Sequence, residues 1–209
     1  MTSSSNTPPV ENRAAFFGRL SLVMAPSDLL KIEVAYALAK HAHRWQTRKE
    51  LDDEGSPIRY FEHLRATALI MIDELGIVDC DGIISCLMHD ALEDTTDISD
   101  RMLEHLFGPK VCLNVKIVTK TPENKAVYYD NLMTYGYPMV WIVKGCDRLS
   151  NLRTLDQCSK EFQAKQVHET MRVILPMLRA LTNTPGYSNI GQRLCGLIET
   201  QLYIVQSRL

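Results

Sequence analysis

The sequence predicts an all-α protein, a single-domain helical bundle. Apolar residues recur at helical spacing in segment after segment, and the alternation of a half-buried strand is nearly absent. A length of 209 residues suits one domain, and 45% apolar with 23% charged residues provides for a substantial core.

Taken in order, residues 1–12 are rich in Ser, Thr, Asn and Pro and predict a flexible leader, with the main domain over 13–182. "SDLLKIEVAYALAKHAHRW" predicts the first helix, with Ser27 or Asp28 as N-cap and Leu30, Val34, Ala37 and Leu38 along one face. "KELDDEGSPIRY" breaks that pattern with acids, Gly55 and Pro57 and predicts a long loop, of the kind that is often functional. Helical patterns follow over 62–75, 81–92, 100–107, 109–118, 125–134, 139–155 and 160–181. Residues 183–209 predict a turn, "NTPGYSN", and a last amphipathic helix over about 190–205 that packs back on the bundle or joins two copies as a homo-oligomer.

Composition narrows the partners. Lys and Arg number 23 against 25 Asp and Glu, a balance that argues against duplex nucleic acid while allowing one local basic pocket for a small molecule. Cys80, Cys86, Cys112, Cys146, Cys158 and Cys195 show no CxxC spacing, and the N-terminus has no apolar stretch of secretory type. They read as free thiols of a cytoplasmic protein. No run approaches the roughly 18 apolar residues of a membrane span.

The chemistry gathers in "CLMHDALEDT", residues 86–95, where His89, Asp90, Glu93 and Asp94 share one helical stripe opposite Ile84, Leu87, Met88, Ala91 and Leu92. A bare His-Asp pair usually lies on an ordinary solvated face. A second helix, "VWIVKGCDRLSNLRTL", repeats the division, placing Lys144, Asp147, Arg148, Asn151 and Thr154 on one side and Ile142, Val143, Cys146, Leu149 and Leu152 on the other. His63 opens a third helix directly after the loop. Together His63, His89, Asp90 and Asp147 form a two-nitrogen, two-oxygen ligand set for one divalent ion, a chemistry that suits Mn²⁺, Fe²⁺ or Zn²⁺.

H…HD…D in this order resembles the HD superfamily of metal-dependent phosphohydrolases. "AKHAHRWQTRK", "HDALEDT", "LFGPKV", "VTK", "KGCDRLSNLRTL" and "ETMRVILPM" together resemble the hydrolase domain of the RelA/SpoT homologues, enzymes that degrade the alarmone (p)ppGpp; the likeness covers roughly residues 34–177. The resemblance implies an HD-type helical bundle, and the chain's length a stand-alone small alarmone hydrolase. It implies Mn²⁺ held by His63, His89, Asp90 and Asp147, with Glu93 and Asp94 as the catalytic acidic pair. It further implies nucleotide contacts from Arg48, Lys49, Asn151 and Thr154, while Lys144 and Arg148 offer positive charge for phosphates or a base. The chain departs from the family where "GSPIRYFEHL" stands for the usual GxPYIxHP, with Leu64 in place of proline, and where "DRLSN" stands for the frequent DRLHN, with Ser150 in place of histidine. Rival readings are another HD nucleotide phosphohydrolase, such as an NADPH phosphatase or a 5′-nucleotidase, and a catalytically inactive nucleotide-binding module.

Overall fold

The computed structural model describes residues 12–51 and 54–209, and the expected leader lies almost wholly outside them. Its described residues form an α-helical bundle with one two-stranded hairpin. A short helix that the sequence pattern did not announce, α1 (Arg13–Leu20), is capped by Asn12, whose side chain accepts the N–H of Ala15 at 3.0 Å. Helix α2 (Pro26–Ala42) starts one residue before the expected caps. Pro26 takes the first turn, where a missing N–H costs nothing, and Asp28 meets the positive end of the helix dipole.

The expected loop after α2 is partly a hairpin. Strand β1 (Thr47–Leu51) runs antiparallel to β2 (Pro57–Arg59), pairing Thr47 with Arg59 and Leu51 with Pro57. Five residues of β1 span three of β2, so β1 bulges. Arg48 and Glu50, two apart, project from the same face of the strand, and Glu50 is buried.

Helix α3 (Phe61–Leu69) continues into a π-helical turn, Ile70–Glu74. The pattern expected over 81–92 is two helices, α4 (Cys80–Met88) and α5 (Ala91–Asp94), separated at His89 and Asp90. The ring of His89 takes the carbonyl of Cys86 at 2.8 Å, the carbonyl that a continuing helix would offer to the N–H of Asp90. Next come α6 (Asp100–Phe107), capped by Ser99, and α7 (Pro109–Val118), separated by Gly108 at φ 90°, where only glycine is unstrained. Helices α8 (Tyr128–Tyr135) and α9 (Pro138–Arg153) follow.

The segment expected as one helix over 160–181 is α10 (Lys160–Glu169), a π-helical turn (Thr170–Ile174) and α11 (Leu175–Thr182). Pro176 accounts for the interruption: it has no N–H to donate, and its ring excludes the carbonyl of Arg172. The final helix, α12 (Ser188–Gln206), packs against α11 and α9.

Helix α9 is the axis of the bundle, in contact with α3, α4, α7, α11 and α12. Val140, Ile142, Val143, Cys146 and Leu149 on it are completely buried, yet so nearly are Asp147, Arg148 and Ser150. Charged groups placed this deep require partners. All six cysteines are free thiols, and among the described residues no helix is long and apolar enough to cross a membrane.

Candidate metal centre

Four side chains from separate parts of the chain meet beside α9. His63 comes from the first turn of α3, His89 and Asp90 from the break between α4 and α5, and Asp147 from the middle of α9. Ligand atoms of His63, His89 and Asp90 all lie within 4.8 Å of one another. Asp147 adds its Oδ1, 3.2 Å from His63 Nε2 and 3.5 Å from His89 Nε2. Asp90 Oδ2 stands 3.0 Å from His89 Nε2 and 3.7 Å from His63 Nε2.

The surroundings orient this set. His89 Nδ1 donates to the Cys86 carbonyl, so its Nε2 carries the lone pair when the ring is neutral. That Nε2 is buried and, despite its close carboxylates, makes no aligned hydrogen bond. His63 Nδ1 bonds Ser150 Oγ at 2.9 Å, again leaving Nε2 turned to the carboxylates. Asp147 is fixed at both oxygens, Oδ2 by the Lys144 ammonium at 2.8 Å and Oδ1 by the Asn151 amide at 2.6 Å. An orphaned buried nitrogen, a second imidazole and two carboxylates converging on one point fit a divalent cation.

Burial opposes charge throughout, and local partners decide the outcome. Burial lowers the pKa of His63, with Asp147 pulling the other way, so that ring favours the neutral form. Burial also opposes charging His89, but Asp90 and Asp147 outweigh it and hold its pKa well above the ordinary range. Asp147 is buried too, yet Lys144 and the two histidines keep its carboxyl well below the usual carboxylate range. Burial raises Glu93, with Asp90 adding to the effect and the Lys120 N–H opposing it.

The acidic pair sits at the edge of the cluster. Glu93 Oε2 accepts the backbone N–H of Lys120 at 2.9 Å, tying α5 to the segment after α7. Asp94 Oδ2 lies 2.9 Å from the hydroxyl of Tyr60, which is also 2.7 Å from Asp90 Oδ2. Sequence reasoning missed Tyr60, although its position three residues before His63 was a usable signal. Its ring stacks on His43, with centroids 5.0 Å apart and planes 9° from parallel. Removing its hydroxyl deprives two neighbouring carboxylates of a shared donor, so Tyr60→Phe should destabilise the ion-free protein by about 1.5–3 kcal/mol. Urea unfolding measures this, and an unchanged midpoint would show that the hydroxyl holds neither acid.

A cavity of about 270 Å³ opens beside the cluster, walled by Arg48, Lys49, Tyr60, Asn151, Leu155 and Phe162. Tyr60 and Asn151 join it to the ligand set, since they bond Asp90 and Asp147. Arg48 forms a two-pronged ion pair with Glu50 at 3.0 and 3.1 Å and reaches Asn151 Oδ1 at 2.9 Å. Thr154 donates to Glu50 at 2.8 Å. The Lys49 ammonium stands 4.5 Å over the Phe162 ring. Lys144 and Arg148, expected from the sequence to offer charge to phosphates or a base, are paired with carboxylates, Lys144 with Asp147 and Arg148 with Glu169, and Arg148, which also bonds Gln166, is part of the cavity wall. The sequence pattern put Asp147 on their own face but could not show Glu169, which meets Arg148 from α10.

Inside this all-α bundle His63, His89 and Asp90 form a group that could hold a metal ion, with Asp147 beside them. The HD domain family matches residues 35–180. The chain is 36% identical over 163 residues to guanosine-3′,5′-bis(diphosphate) 3′-pyrophosphohydrolase of Aquifex aeolicus, covering 75% of this chain and 22% of that protein. It is 34% identical over 163 residues to GTP pyrophosphokinase of Streptomyces coelicolor, covering 74% of this chain and 18% of that protein. It thus spans about a fifth of the length of these bacterial relatives. To human guanosine-3′,5′-bis(diphosphate) 3′-pyrophosphohydrolase MESH1 it is 31% identical over 164 residues, covering 76% of this chain and 88% of that protein. A solved structure of a metazoan SpoT ortholog that hydrolyses ppGpp and plays a role in starvation responses superposes with a TM-score of 0.67 at 26% identity, over 86% of this chain and 98% of that one. The chain belongs to the HD domain family and, within it, to the RelA/SpoT-homologue hydrolases.

Proposed function

We propose that this protein is a Mn²⁺-dependent alarmone 3′-pyrophosphohydrolase, converting (p)ppGpp or (p)ppApp to the nucleoside 5′-di- or triphosphate and pyrophosphate. The observation that carries this reading is the juxtaposition of the His63, His89, Asp90 and Asp147 cluster with a cavity walled by Arg48 and Lys49. The likeness to the human hydrolase, over most of that protein's length, supports the same reaction. When bound by the four ligands, a divalent cation would supply positive charge to a phosphoryl oxygen and lower the pKa of water.

The chain's own groups do the rest. A water oxygen bonds to the phosphorus attached to the ribose 3′-oxygen, that phosphorus–oxygen bond breaks, and a proton passes to the 3′-oxygen. Glu93 and Asp94 orient the water and take its proton. Glu93 suits this, since burial moves its pKa towards neutrality and the Lys120 N–H leaves one carboxylate oxygen uncommitted. Arg48, Lys49, Asn151 and Thr154 bind the nucleotide, Arg48 being linked to Asn151 directly and to Thr154 through Glu50. Six free thiols support a reducing, cytoplasmic setting.

Purified protein with Mn²⁺, incubated in parallel with (p)ppGpp, (p)ppApp, NADPH and deoxynucleoside monophosphates, tests the reading when products are resolved by chromatography. Pyrophosphate release from an alarmone is expected. Turnover of NADPH or the monophosphates alone would reassign the substrate within the family, and no turnover of any would leave a binding module. Arg48→Ala should raise KM about tenfold or more, because a guanidinium stacks on a base and bridges phosphate oxygens, while metal content stays that of the wild type. Steady-state kinetics with metal analysis checks both halves, and loss of metal would place Arg48 in support of the ligands instead.

A further inference from the structure

We propose that Ser150 is the positioning residue of His63, a hydroxyl that holds the imidazole with Nε2 presented to the ion; this rests on the reading of His63 as a ligand. Ser150 stands where the frequent family motif has histidine, and its Oγ lies 2.9 Å from His63 Nδ1 in a buried contact between α9 and α3. Other buried helical Ser and Thr hydroxyls among the described residues donate within their own helix, although Ser85 also accepts from Asn114 of α7. Thr67, Ser85 and Thr170 each bond the carbonyl four residues earlier, those of His63, Asp81 and Gln166. Ser150 crosses to another helix and meets a ring nitrogen.

The two imidazoles are therefore held in different ways. The Cys86 carbonyl can only accept, so it fixes the His89 proton on Nδ1. A hydroxyl donates or accepts. Ser150 can donate to Nδ1 of neutral His63 when the ring proton is on Nε2, towards Asp147 Oδ1 at 3.2 Å. It can equally accept from Nδ1 when the proton is there, the tautomer that would leave Nε2 bare for an ion. The proton count of the ring is unchanged and the buried hydrogen bond persists in both states. Alanine at 150 would leave Nδ1 buried without a partner in either one.

The test is Mn²⁺ affinity, read from the electron paramagnetic resonance signal of free Mn²⁺ during titration without substrate. Ser150→Ala should weaken binding by about 10–100-fold, the usual cost of removing a partner that orients a metal ligand. Ser150→Thr should restore most of the loss and its isostere Ser150→Val should not, a comparison that separates the hydroxyl from packing should the alanine variant fold poorly. In a His63→Ala background, Ser150→Ala should add nothing. Wild-type affinity in Ser150→Ala and Ser150→Val, or an equal loss in the His63→Ala background, would overturn the assignment while leaving the metal reading intact. Equal affinity of wild type and His63→Ala would instead remove His63 from the site, and this inference with it.

Discussion

Stripping divalent cations from the protein is expected to reduce pyrophosphate release to background, and Mn²⁺ is expected to restore it. Among the described residues, the cluster offers imidazoles and carboxylates, and the hydroxyls beside it, those of Tyr60 and Ser150, are bonded to Asp90 and His63. Cys86 and Cys146 are completely buried, and burial holds the thiol of Cys86 far up in its neutral form. The sign of the pH dependence follows from His89. Its pKa in the ion-free protein lies well above the usual imidazole range, and a ligand must be unprotonated, so the ion displaces a proton as it binds. Apparent affinity should therefore fall as pH falls, and calorimetry in buffers of different ionisation enthalpy should register proton release near neutral pH. Full turnover after chelation would end the metal mechanism.

Glu93→Gln is expected to lower kcat by roughly 10²–10⁴-fold with Mn²⁺ still bound, the usual contribution of a placed acid or base. The amide keeps the shape and can keep accepting the Lys120 N–H, so α5 stays where it is and only the proton acceptor is lost. Asp94→Asn should act in the same direction. Metal analysis beside single-turnover kinetics distinguishes the roles, and loss of the ion in Glu93→Gln would make Glu93 a ligand.

Much of this architecture was legible in the sequence where local chemistry and tertiary packing agree. Helices α6 and α7 match their expected bounds because Ser99, Gly108 and Pro109 punctuate them with unambiguous backbone preferences. Helix α1 went unread because "RAAFFGRL" sits beside a polar leader and gains its order from burying Phe16 and Leu20. The hairpin went unread because Thr47–Leu51 begins with four polar residues and shows no apolar alternation; its buried position is Glu50, whose burial makes sense only beside Arg48 and Thr154. The stripe of "HDALEDT" was legible as a set of groups, but not the break at His89 and Asp90, which depends on a side chain capturing a backbone carbonyl. Likewise, spacing could place Lys144 and Arg148 on the face of Asp147 but could not say that each would be spent on a carboxylate.

The proposed ligands come from α3, the α4–α5 break and α9, segments that meet only when the bundle is assembled. An unfolded chain has no such site, so every increment of ion binding is also an increment of folding free energy. At a free ion concentration a hundred times the dissociation constant, linkage adds about 2.7 kcal/mol to native stability. If the proposed function holds, the supply of Mn²⁺ would then govern how long the protein survives as well as how fast it works. A chain made in a metal-poor cell would be both idle and easier for proteases to open, so that scarcity of the ion would lower activity twice.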